Sequence, residues 1–242
     1  MSETLPLALL HEDHDLVAAA KPAGEPVVPA RGEPRSLCLQ KRLESRLRRR
    51  LWVVHRIDRD ASGVVLFALN ADAHRALSLA FEHRQVAKSY SAFAAGAIEP
   101  PRGRIDVPLH GARKGKARPA RPGEAGALPS TTEYATRRRW RLGDSAVSLL
   151  EVHPLTGRHH QIRVHLRAAG TPILFDPLYG RGLMPEALAG APCARLALHA
   201  RRIDVPAPRG GGRVVVEAPL PADLQGLADW LGEHGAGGEV GV

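Results

Sequence analysis

Neighbouring strand-like segments with no helix between them constrain the fold of this chain most. Thr131–Trp140 and Ala146–His153 are two β-favouring runs that meet near the dipeptide Gly143-Asp144, which is typical of a tight turn. A parallel pair would need a crossover of about a dozen residues, so these two strands must be antiparallel. We therefore expect an α+β fold with a mixed, mainly antiparallel β-sheet and flanking helices, rather than a doubly wound sheet.

Hydrophobic periodicity gives the remaining elements. Further strands are expected in two runs around a charged turn at 8–20 and at Leu51–Val54, Val64–Leu69, Lys88–Ala95, Arg195–Val205 and Arg213–Ala218. Helices are expected from a Ser36 cap, from Asn70 or Asp72, over about His159–Ala169 and from Pro221 onward. The polar segment of about Gly111–Ser130 is predicted to be a mobile loop. We expect one domain over residues 1–234 and a flexible tail over 235–242.

Charge points to the class of partner. The chain carries 34 Lys and Arg against 25 Asp and Glu, a net charge of +9. A basic surface of this size favours a polyanion, of which nucleic acid is the commonest. A genomic preference for arginine codons explains Arg in place of Lys, but not the excess of cations over anions. On the first predicted helix, a solvated face and an RNA contact explain the cations equally well: Lys41, Arg42, Arg46 and Arg49.

Several classes of protein are set aside by motifs that the sequence lacks. No apolar run is long enough for a membrane helix, and the N-terminus has no signal-peptide pattern. Cys38 and Cys193 give neither a disulfide framework nor metal-site spacing, so we expect a cytoplasmic protein. There is no dinucleotide fingerprint, P-loop or Gly-x-Ser-x-Gly elbow. His159, His160 and His165 have no carboxylate or thiolate at metal spacing nearby, so we expect no cofactor and no metal.

The loop His55–Gly63 is a polar interruption between two apolar strands. One of its two carboxylates, Asp58, lies between Arg56 and Arg59. The loop breaks the apolar pattern on both sides of it, which makes it a candidate functional segment. A turn in which the arginines and the aspartate satisfy one another would produce the same sequence.

A second polar segment, Thr156–His165, occupies the first turns of a predicted helix. Backbone N–H groups at a helix N-terminus attract anions, which suits a phosphate or carboxylate ligand. An exposed amphipathic helix, with Ile162 buried and Arg163 and Arg167 in water, would explain the pattern equally well.

Five ordered motifs together resemble a known family. They are KPAGEPVV at 21–28, HRIDRDASG at 55–63, KSYSAFAAG at 88–96, LLEVHPLTGRHHQIRVHLRAAGTPILFDPLYG at 149–180 and LALHARRIDVPAP at 196–208. In sequence and order they are similar to motifs of the RluA-type pseudouridine synthases. The resemblance extends from about residue 8 to about residue 232.

The resemblance implies a pseudouridine synthase fold with a central catalytic cleft, and an enzyme that isomerises uridine in structured rRNA or tRNA without a cofactor. Asp58 aligns with the catalytic aspartate. Arg163 aligns with an active-site arginine that would pair with Asp58 and orient it. Tyr90 aligns with a tyrosine whose ring can stack on the flipped uracil. Without the alignment, Tyr90 would be interpreted as a core residue.

RNA contacts are also implied. Arg56, next to Asp58, is a candidate wedge or phosphate contact. Further RNA-binding residues are expected in the second long motif and in the basic loop: Arg158, His160, Gln161, Arg113, Lys114 and Lys116. A disordered surface loop would explain the basic loop, which also contains Arg118 and Arg121, equally well.

Two departures from the family pattern concern specificity. Ala61 stands where the family has Thr, and Phe175 where it has Gly before Asp176. We expect altered rate or substrate choice from these changes, and retained activity. Because the motifs begin by residue 21, we expect no separate N-terminal RNA-binding domain. We also expect an RNA stem-loop as the partner, no association with a membrane, and a monomeric state.

A rival hypothesis is a non-catalytic RNA-binding or ribosome-assembly factor with the same fold. It predicts loss of at least one of Asp58, Tyr90 and Arg163, and all three are present. A basic DNA-binding module would need a recognition helix or a dimer half-site pattern, and neither is evident.

Overall fold

The computed structural model describes residues 7–30, 32, 34, 38–111 and 115–240. Its strands are β1 (Ala8–Glu12), β2 (Leu16–Lys21), β3 (Trp52–Val53), β4 (Ser62–Ala68), β5 (Ala87–Ala95), β6 (Arg102–Asp106), β7 (Leu109–Gly111), β8 (Ala117–Pro119), β9 (Thr131–Leu142), β10 (Ser145–Pro154), β11 (Leu198–Pro206), β12 (Arg213–Glu217) and β13 (Ala236–Glu239). Its α-helices are α1 (Leu39–Leu47), α2 (Ala71–Glu82), α3 (Gln161–Ala168) and α4 (Ala222–His234). A short 3₁₀ helix covers Glu186–Leu188.

The chain forms two compact units, each built from two separate stretches. The first unit contains residues 1–88 and 199–219, and the second contains residues 89–198 and 220–242. Within each unit the sheet is largely antiparallel, as the sequence predicts. The single-domain boundary at residue 234 and the central cleft stay predictions.

In the first unit, strands follow the order β1-β2-β4-β11, with β3 also on β4 and β12 also on β11. Strand β4 pairs parallel with β11, whereas β1, β2, β3 and β12 pair antiparallel. Every residue of β4 is buried, which agrees with its apolar run from Val64 to Ala68. This central strand begins only four residues after Asp58, so the loop that carries Asp58 leads directly into the core.

The helices of the first unit follow their local sequence signals. At the start of α2 the Asn70 side chain accepts the N–H of Ala73 at 2.8 Å, which is an N-cap. Leu39 and Leu43 of α1 are buried, as their spacing predicts. The predicted cap Ser36 lies outside the described residues, and α1 begins after Cys38.

The sheet of the second unit follows the order β5-β10-β9-β13, and β6 also pairs with β9. All these pairs are antiparallel. Strands β9 and β10 are joined by Gly143-Asp144, with Leu142 opposite Ser145, so the predicted strand pair joined near these two residues is confirmed. Gly143 has φ +57°, a conformation that glycine adopts without strain.

The predicted loop over Gly111–Ser130 is wrong in part. Strand β8 pairs with β7, and Leu128 forms a bridge with Leu109. Leu109 and Ala117 pack on Val164 of α3, an apolar contact that the polar composition of this segment hides. Composition alone therefore underestimated the order of this segment.

The predicted tail at 235–242 also differs from the structure. Residues Ala236–Glu239 form β13, which pairs with Arg138–Arg141 of β9. Glycine-rich sequence has low strand propensity, but here main-chain hydrogen bonds to an open sheet edge supply the order. A Cβ on Gly237 would lie 2.1 Å from the carbonyl oxygen of Arg139, so only glycine fits this close approach.

No helix in the described part of the chain is long and apolar enough to cross a membrane. The two cysteines, Cys38 and Cys193, are free and buried, which agrees with the expected absence of a disulfide framework.

Candidate active site

The loop that carries Asp58 is held by a buried lysine. Lys21 is 1% exposed, and its Nζ donates to the carbonyl oxygens of Arg59 at 2.8 Å, Pro22 at 2.7 Å and Glu25 at 2.7 Å. The three protons of one ammonium group therefore fasten the turn after β2 to the residue that follows Asp58. The Asp58 side chain itself is half-buried.

Backbone contacts reinforce the same connection. The N–H of Gly24 donates to the carbonyl of Arg59 at 2.9 Å, and Nε of Arg59 donates to the carbonyl of Gly24 at 2.9 Å. Gly24 has φ +83°, which explains the glycine in this turn. Two of the motifs found in the sequence, at 21–28 and 55–63, thus form one rigid support for Asp58.

The far end of the Asp58 loop is anchored on β11. Nδ1 of His199 lies 2.9 Å from the Ser62 hydroxyl, and Nε2 lies 3.2 Å from the carbonyl of Ala218. Because a carbonyl can only accept, we assign the ring proton to Nε2, so that the Ser62 hydroxyl donates to Nδ1. A Cβ on Gly63 would lie 2.3 Å from the Ala200 carbonyl oxygen, so glycine is required where β4 approaches β11.

His55, the first residue of the same motif, is fixed in its neutral form. Its Nε2 accepts the N–H of Leu66 at 2.9 Å, and its ring stacks on Phe81 with centroids 5.0 Å apart. Burial, assisted by the charge of Lys88, lowers the pKa of His55 from 6.5 to about 3. A protonated ring could not accept this hydrogen bond, so geometry and pKa agree.

Arg163 lies in α3 with its side chain inside the second unit, at 2% exposure. Its Nε and Nη2 donate to the two carboxylate oxygens of Asp176 at 2.8 and 2.7 Å, a bidentate pair. Its guanidinium carbon lies 5.2 Å from the centre of the Tyr179 ring. The solvent-facing alternative for Arg163 is therefore wrong, while the pairing with Asp58 stays a prediction.

Asp176 is suited to hold this arginine. It also accepts the backbone N–H groups of Leu178 at 2.9 Å and Tyr179 at 3.0 Å. Burial alone raises the pKa of Asp176, but the hydrogen bonds from Arg163 and from the backbone outweigh it and hold the pKa below its usual value. An ionised Asp176 compensates the charge of Arg163 and fixes its orientation.

Phe175, which stands where the family has glycine, has φ +56°. A bulky L-residue is strained in this region of backbone space. The backbone before Asp176 thus adopts a conformation better suited to glycine than to phenylalanine. The N–H of Phe175 donates to Sδ of Met184 at 3.1 Å.

Tyr90 lies in β5, directly opposite Val152 of β10. Its side chain is half-buried. In the same strand the Ser89 hydroxyl donates to Oε1 of Glu151 at 3.0 Å, which fixes the opposite face. Tyr90 is therefore carried by a rigid, well-paired strand.

Gln161, expected to contact RNA, is 4% exposed and forms four hydrogen bonds within the protein. Its Nε2 donates to the Thr131 carbonyl at 2.8 Å and the Thr132 hydroxyl at 2.9 Å. Its Oε1 accepts the Thr156 hydroxyl at 2.7 Å and the Arg158 N–H at 3.0 Å. These four partners favour a role in holding the turn before α3.

His160 and Tyr179 connect α3 to the β7-β8 hairpin. The Tyr179 hydroxyl accepts the N–H of Ala117 at 2.8 Å and lies 3.0 Å from Nδ1 of His160. Nε2 of the neighbouring His159 lies 2.8 Å from the Gly115 carbonyl. The hairpin that carries the basic loop is therefore attached to the same helix as Arg163.

His165, the fourth histidine of the motif at 149–180, is fully buried. Its Nδ1 lies 2.9 Å from the Thr132 hydroxyl and its Nε2 lies 2.9 Å from the Val107 carbonyl. Burial lowers its pKa from the usual value. Both ring nitrogens have protein partners, so this histidine serves the core.

The remaining expected RNA-binding residues lie at the surface or outside the described part of the chain. Arg56 and Lys116 are exposed, and Arg158 is half-buried with Nε 3.3 Å from the Pro129 carbonyl. Arg113 and Lys114 lie outside the described residues. Asp176, Tyr179 and His199 have clear roles that residue-by-residue reasoning missed, although the quoted motifs contain all three.

Comparisons with known proteins show which family the chain is similar to. The family profile described as RNA pseudouridylate synthase matches residues 15–168. The ribosomal large subunit pseudouridine synthase D of Nitrosomonas europaea is 32% identical over 93% of this chain, and that of Xanthomonas campestris pv. campestris is 34% identical over 97%. The chain spans 65% of the length of the first relative and 72% of the second.

A solved structure titled Human RNA Pseudouridylate Synthase Domain Containing 4 is also similar. It aligns with a TM-score of 0.74 at 27% identity, covering 93% of this chain and 92% of that one. The chain belongs to the RNA pseudouridylate synthase family. The family and the enzyme class expected from the motifs are thereby confirmed.

Proposed function

We propose that this protein converts uridine to pseudouridine in ribosomal RNA, with Asp58 as the catalytic group. The observation that carries the proposal is the support of the Asp58 loop by Lys21 and by the Ser62–His199 contact. The names of the bacterial relatives point to large-subunit rRNA, and a tRNA stem-loop is the second candidate substrate.

Asp58 supplies the carboxylate. It acts either by attack on the sugar or the base, or by removal of the 2′ proton of the ribose. In each route the glycosidic bond breaks, the uracil turns, and its carbon 5 is joined to the sugar. The rigid support of the loop holds the carboxylate in place without a conformational cost in the reaction.

Arg163 and Tyr90 assist this reaction. The bidentate pair with Asp176 fixes the plane of the Arg163 guanidinium, so that it orients a carboxylate or stabilises charge that develops on the substrate. Tyr90 offers an aromatic ring on which an extruded uracil stacks. Both side chains are carried by regular elements, which restrict their motion.

Cationic side chains near the proposed catalytic residues in the sequence hold the RNA. Arg56 and Lys116 are exposed and suited to phosphate contacts, and we keep Arg113, Lys114, Arg158 and His160 as further candidates. We assign Gln161 to positioning instead. A cytoplasmic location and a monomeric state complete the proposal.

The test is tritium release from carbon-5-labelled uridine in rRNA and tRNA. Asp58→Ala should lower release by at least about 10³-fold, while RNA affinity stays within about threefold, because only the reacting group is lost. Asp60→Ala is the matched control, a carboxylate of the same loop, and it should keep wild-type release. Arg163→Lys should lower release by about 100-fold, since lysine cannot form the bidentate pair.

Three results would overturn the proposal. Equal release by wild type and Asp58→Ala would remove Asp58 from the chemistry. RNA affinity that falls in step with release would make Asp58 structural. RNA binding without release from any rRNA or tRNA would favour the non-catalytic alternative.

A further inference from the structure

The turn after α1 forms an open, positively charged cavity of about 660 Å³ in the first unit. We call it the basic groove, and its main lining residues are Lys41, Arg48, Arg49, Arg50 and Trp52. We propose that the basic groove binds the phosphodiester backbone of the substrate RNA, as a contact additional to the uridine-binding residues. This proposal rests on the proposed function, because it takes RNA as the partner.

The groove has a defined shape because helix side chains fix the turn. Oε1 of Glu44 accepts the N–H of Leu51 at 3.0 Å, and Nε2 of Gln40 donates to the Leu51 carbonyl at 3.1 Å. Leu51 is itself buried at 2% exposure. Arg48 adopts φ +51° and reverses the chain at the end of α1. The three consecutive arginines therefore project from a backbone that is bound at both polar groups of Leu51.

The charge of the groove is not compensated internally. The one lining carboxylate, Glu44, is bound by Nζ of Lys41 at 2.6 Å. Within the part of the chain that the structure describes, none of Arg48, Arg49 and Arg50 forms an ion pair with a carboxylate, and all three are exposed. Arg42 of the same helix is paired with Glu25 at 2.9 Å. Three adjacent positive charges thus remain for an external anion.

The helix dipole does not account for this cluster. Its effect falls off within the last turn of a helix, and Arg46 already occupies the last turn of α1. Arg49 and Arg50 lie beyond it, where they gain little from the helix end. A guanidinium can bind a phosphate through two parallel hydrogen bonds, so these arginines are suited to a phosphodiester backbone.

Trp52 adds an aromatic surface to the groove. The guanidinium carbon of Arg50 lies 5.1 Å from the centre of its ring, and the indole is half-buried. Cations beside an aromatic ring are the combination by which proteins hold single-stranded nucleic acid, through phosphate contacts and base stacking. RNA can use both parts of the groove, because its phosphates can bind the arginines and an unpaired base can stack on the ring.

The test compares two full-length triple variants that lose equal charge. The groove variant is Arg48→Gln with Arg49→Gln and Arg50→Gln. The control is Arg75→Gln with Arg84→Gln and Arg201→Gln, three exposed arginines of the same unit that do not line the groove. Binding to rRNA and tRNA transcripts is measured by fluorescence anisotropy over a range of salt concentrations, with Tm recorded for each variant.

The groove variant should bind RNA at least about tenfold more weakly, and the slope of log affinity against log salt should fall by about 2 units. In the control variant, the loss of RNA affinity and the fall in salt slope should each be at most about a third of those in the groove variant. In tritium release the groove variant should show a raised KM with kcat unchanged. If the triple variant fails to fold, the single substitutions Arg49→Gln and Arg50→Gln should each give part of the effect.

Equal RNA affinity and equal salt slope in the two triple variants would overturn the proposal that the basic groove binds RNA. This result would hold even if wild type releases tritium and the proposed function stands. Groove-dependent binding to phosphatidylglycerol vesicles, without groove-dependent RNA binding, would also overturn the proposal for the basic groove. RNA binding is measured directly, so the groove and control variants can be compared even if the protein releases no tritium.

Discussion

At the scale of single residues, the burial of Arg163 illustrates what sequence reasoning can reach. Helical periodicity places Arg163 and Arg167 on one solvent-facing stripe, and Arg167 is indeed exposed. Arg163 is buried because Asp176, thirteen residues further on, neutralises it. Periodicity contains no information about such a distant partner. The resemblance of the whole motif to a family identified Arg163, but not the carboxylate that holds it.

At position 175, glycine should give a more stable protein than alanine, which is the reverse of the usual order. At φ +56° an alanine keeps the strain of an L-residue and a glycine does not. We expect Phe175→Gly to be more stable than Phe175→Ala by about 1 kcal/mol in urea unfolding. Leu79 of α2 is the control, because it is exposed in an ordinary helix, and there Gly should be about 1 kcal/mol worse than Ala. Equal stability of the two Phe175 variants would contradict the assigned backbone strain.

His55 should make stability depend on pH. Its pKa is about 3 in the folded protein and 6.5 in an unfolded chain, so between these values the unfolded state binds more protons. Stability from His55 is therefore complete above about pH 6.5 and is lost as the pH falls, by up to about 1.4 kcal/mol per pH unit.

The measurement is urea unfolding at about pH 7, 6 and 5 for wild type and His55→Gln. The glutamine does not titrate but can still accept a hydrogen bond. The difference in unfolding free energy should shrink steadily toward low pH. A difference that stays constant would show that His55 keeps an ordinary pKa.

At the scale of elements, the sequence predicts those whose signals are local. Asn70 caps α2, and Gly143-Asp144 turns β9 into β10, because each motif acts within a few residues. Strands β8 and β13 were missed, because they depend on edges and apolar contacts that distant parts of the chain provide. Element type thus follows from sequence where the cause is local, and from tertiary contacts elsewhere.

Strand β13 offers a test with an internal control. A side chain on Gly237 would overlap the Arg139 carbonyl oxygen, whereas one on Gly238 would meet nothing within 4 Å. Gly237→Val should therefore detach β13 and speed hydrogen exchange at the β9 edge, Arg138–Arg141, while the remaining amides keep their protection. Gly238→Val should leave exchange at this edge unchanged. Equal exchange in the two variants would show that β13 contributes nothing to the order of β9.

At the scale of the whole molecule, each compact unit is closed by a distant stretch of chain. In the first unit β4 depends on β11 through the Ser62–His199 contact and the close approach of Gly63 to Ala200. The sequence predicts both strands, yet only the fold shows that they are neighbours. Residues 1–88 expressed alone should therefore lack a cooperative thermal transition.

The control for residues 1–88 is a longer chain that also contains residues 199–219. Residues 1–88 joined to residues 199–219 through a flexible linker of about ten residues should regain a cooperative transition by circular dichroism. Cooperative unfolding of residues 1–88 alone would show that β11 is dispensable to this unit.

Lys21 has a consequence for chemical modification. Its ammonium group offers three protons to three carbonyl oxygens inside the protein. Acylation of Nζ would remove the charge and leave one N–H, so two carbonyls would lose their donor away from water. In the folded protein the amine is shielded from such reagents. A nascent chain acylated at this one position would instead lack the donors that hold the Asp58 loop, so the vulnerability belongs to the period of synthesis rather than to the folded protein.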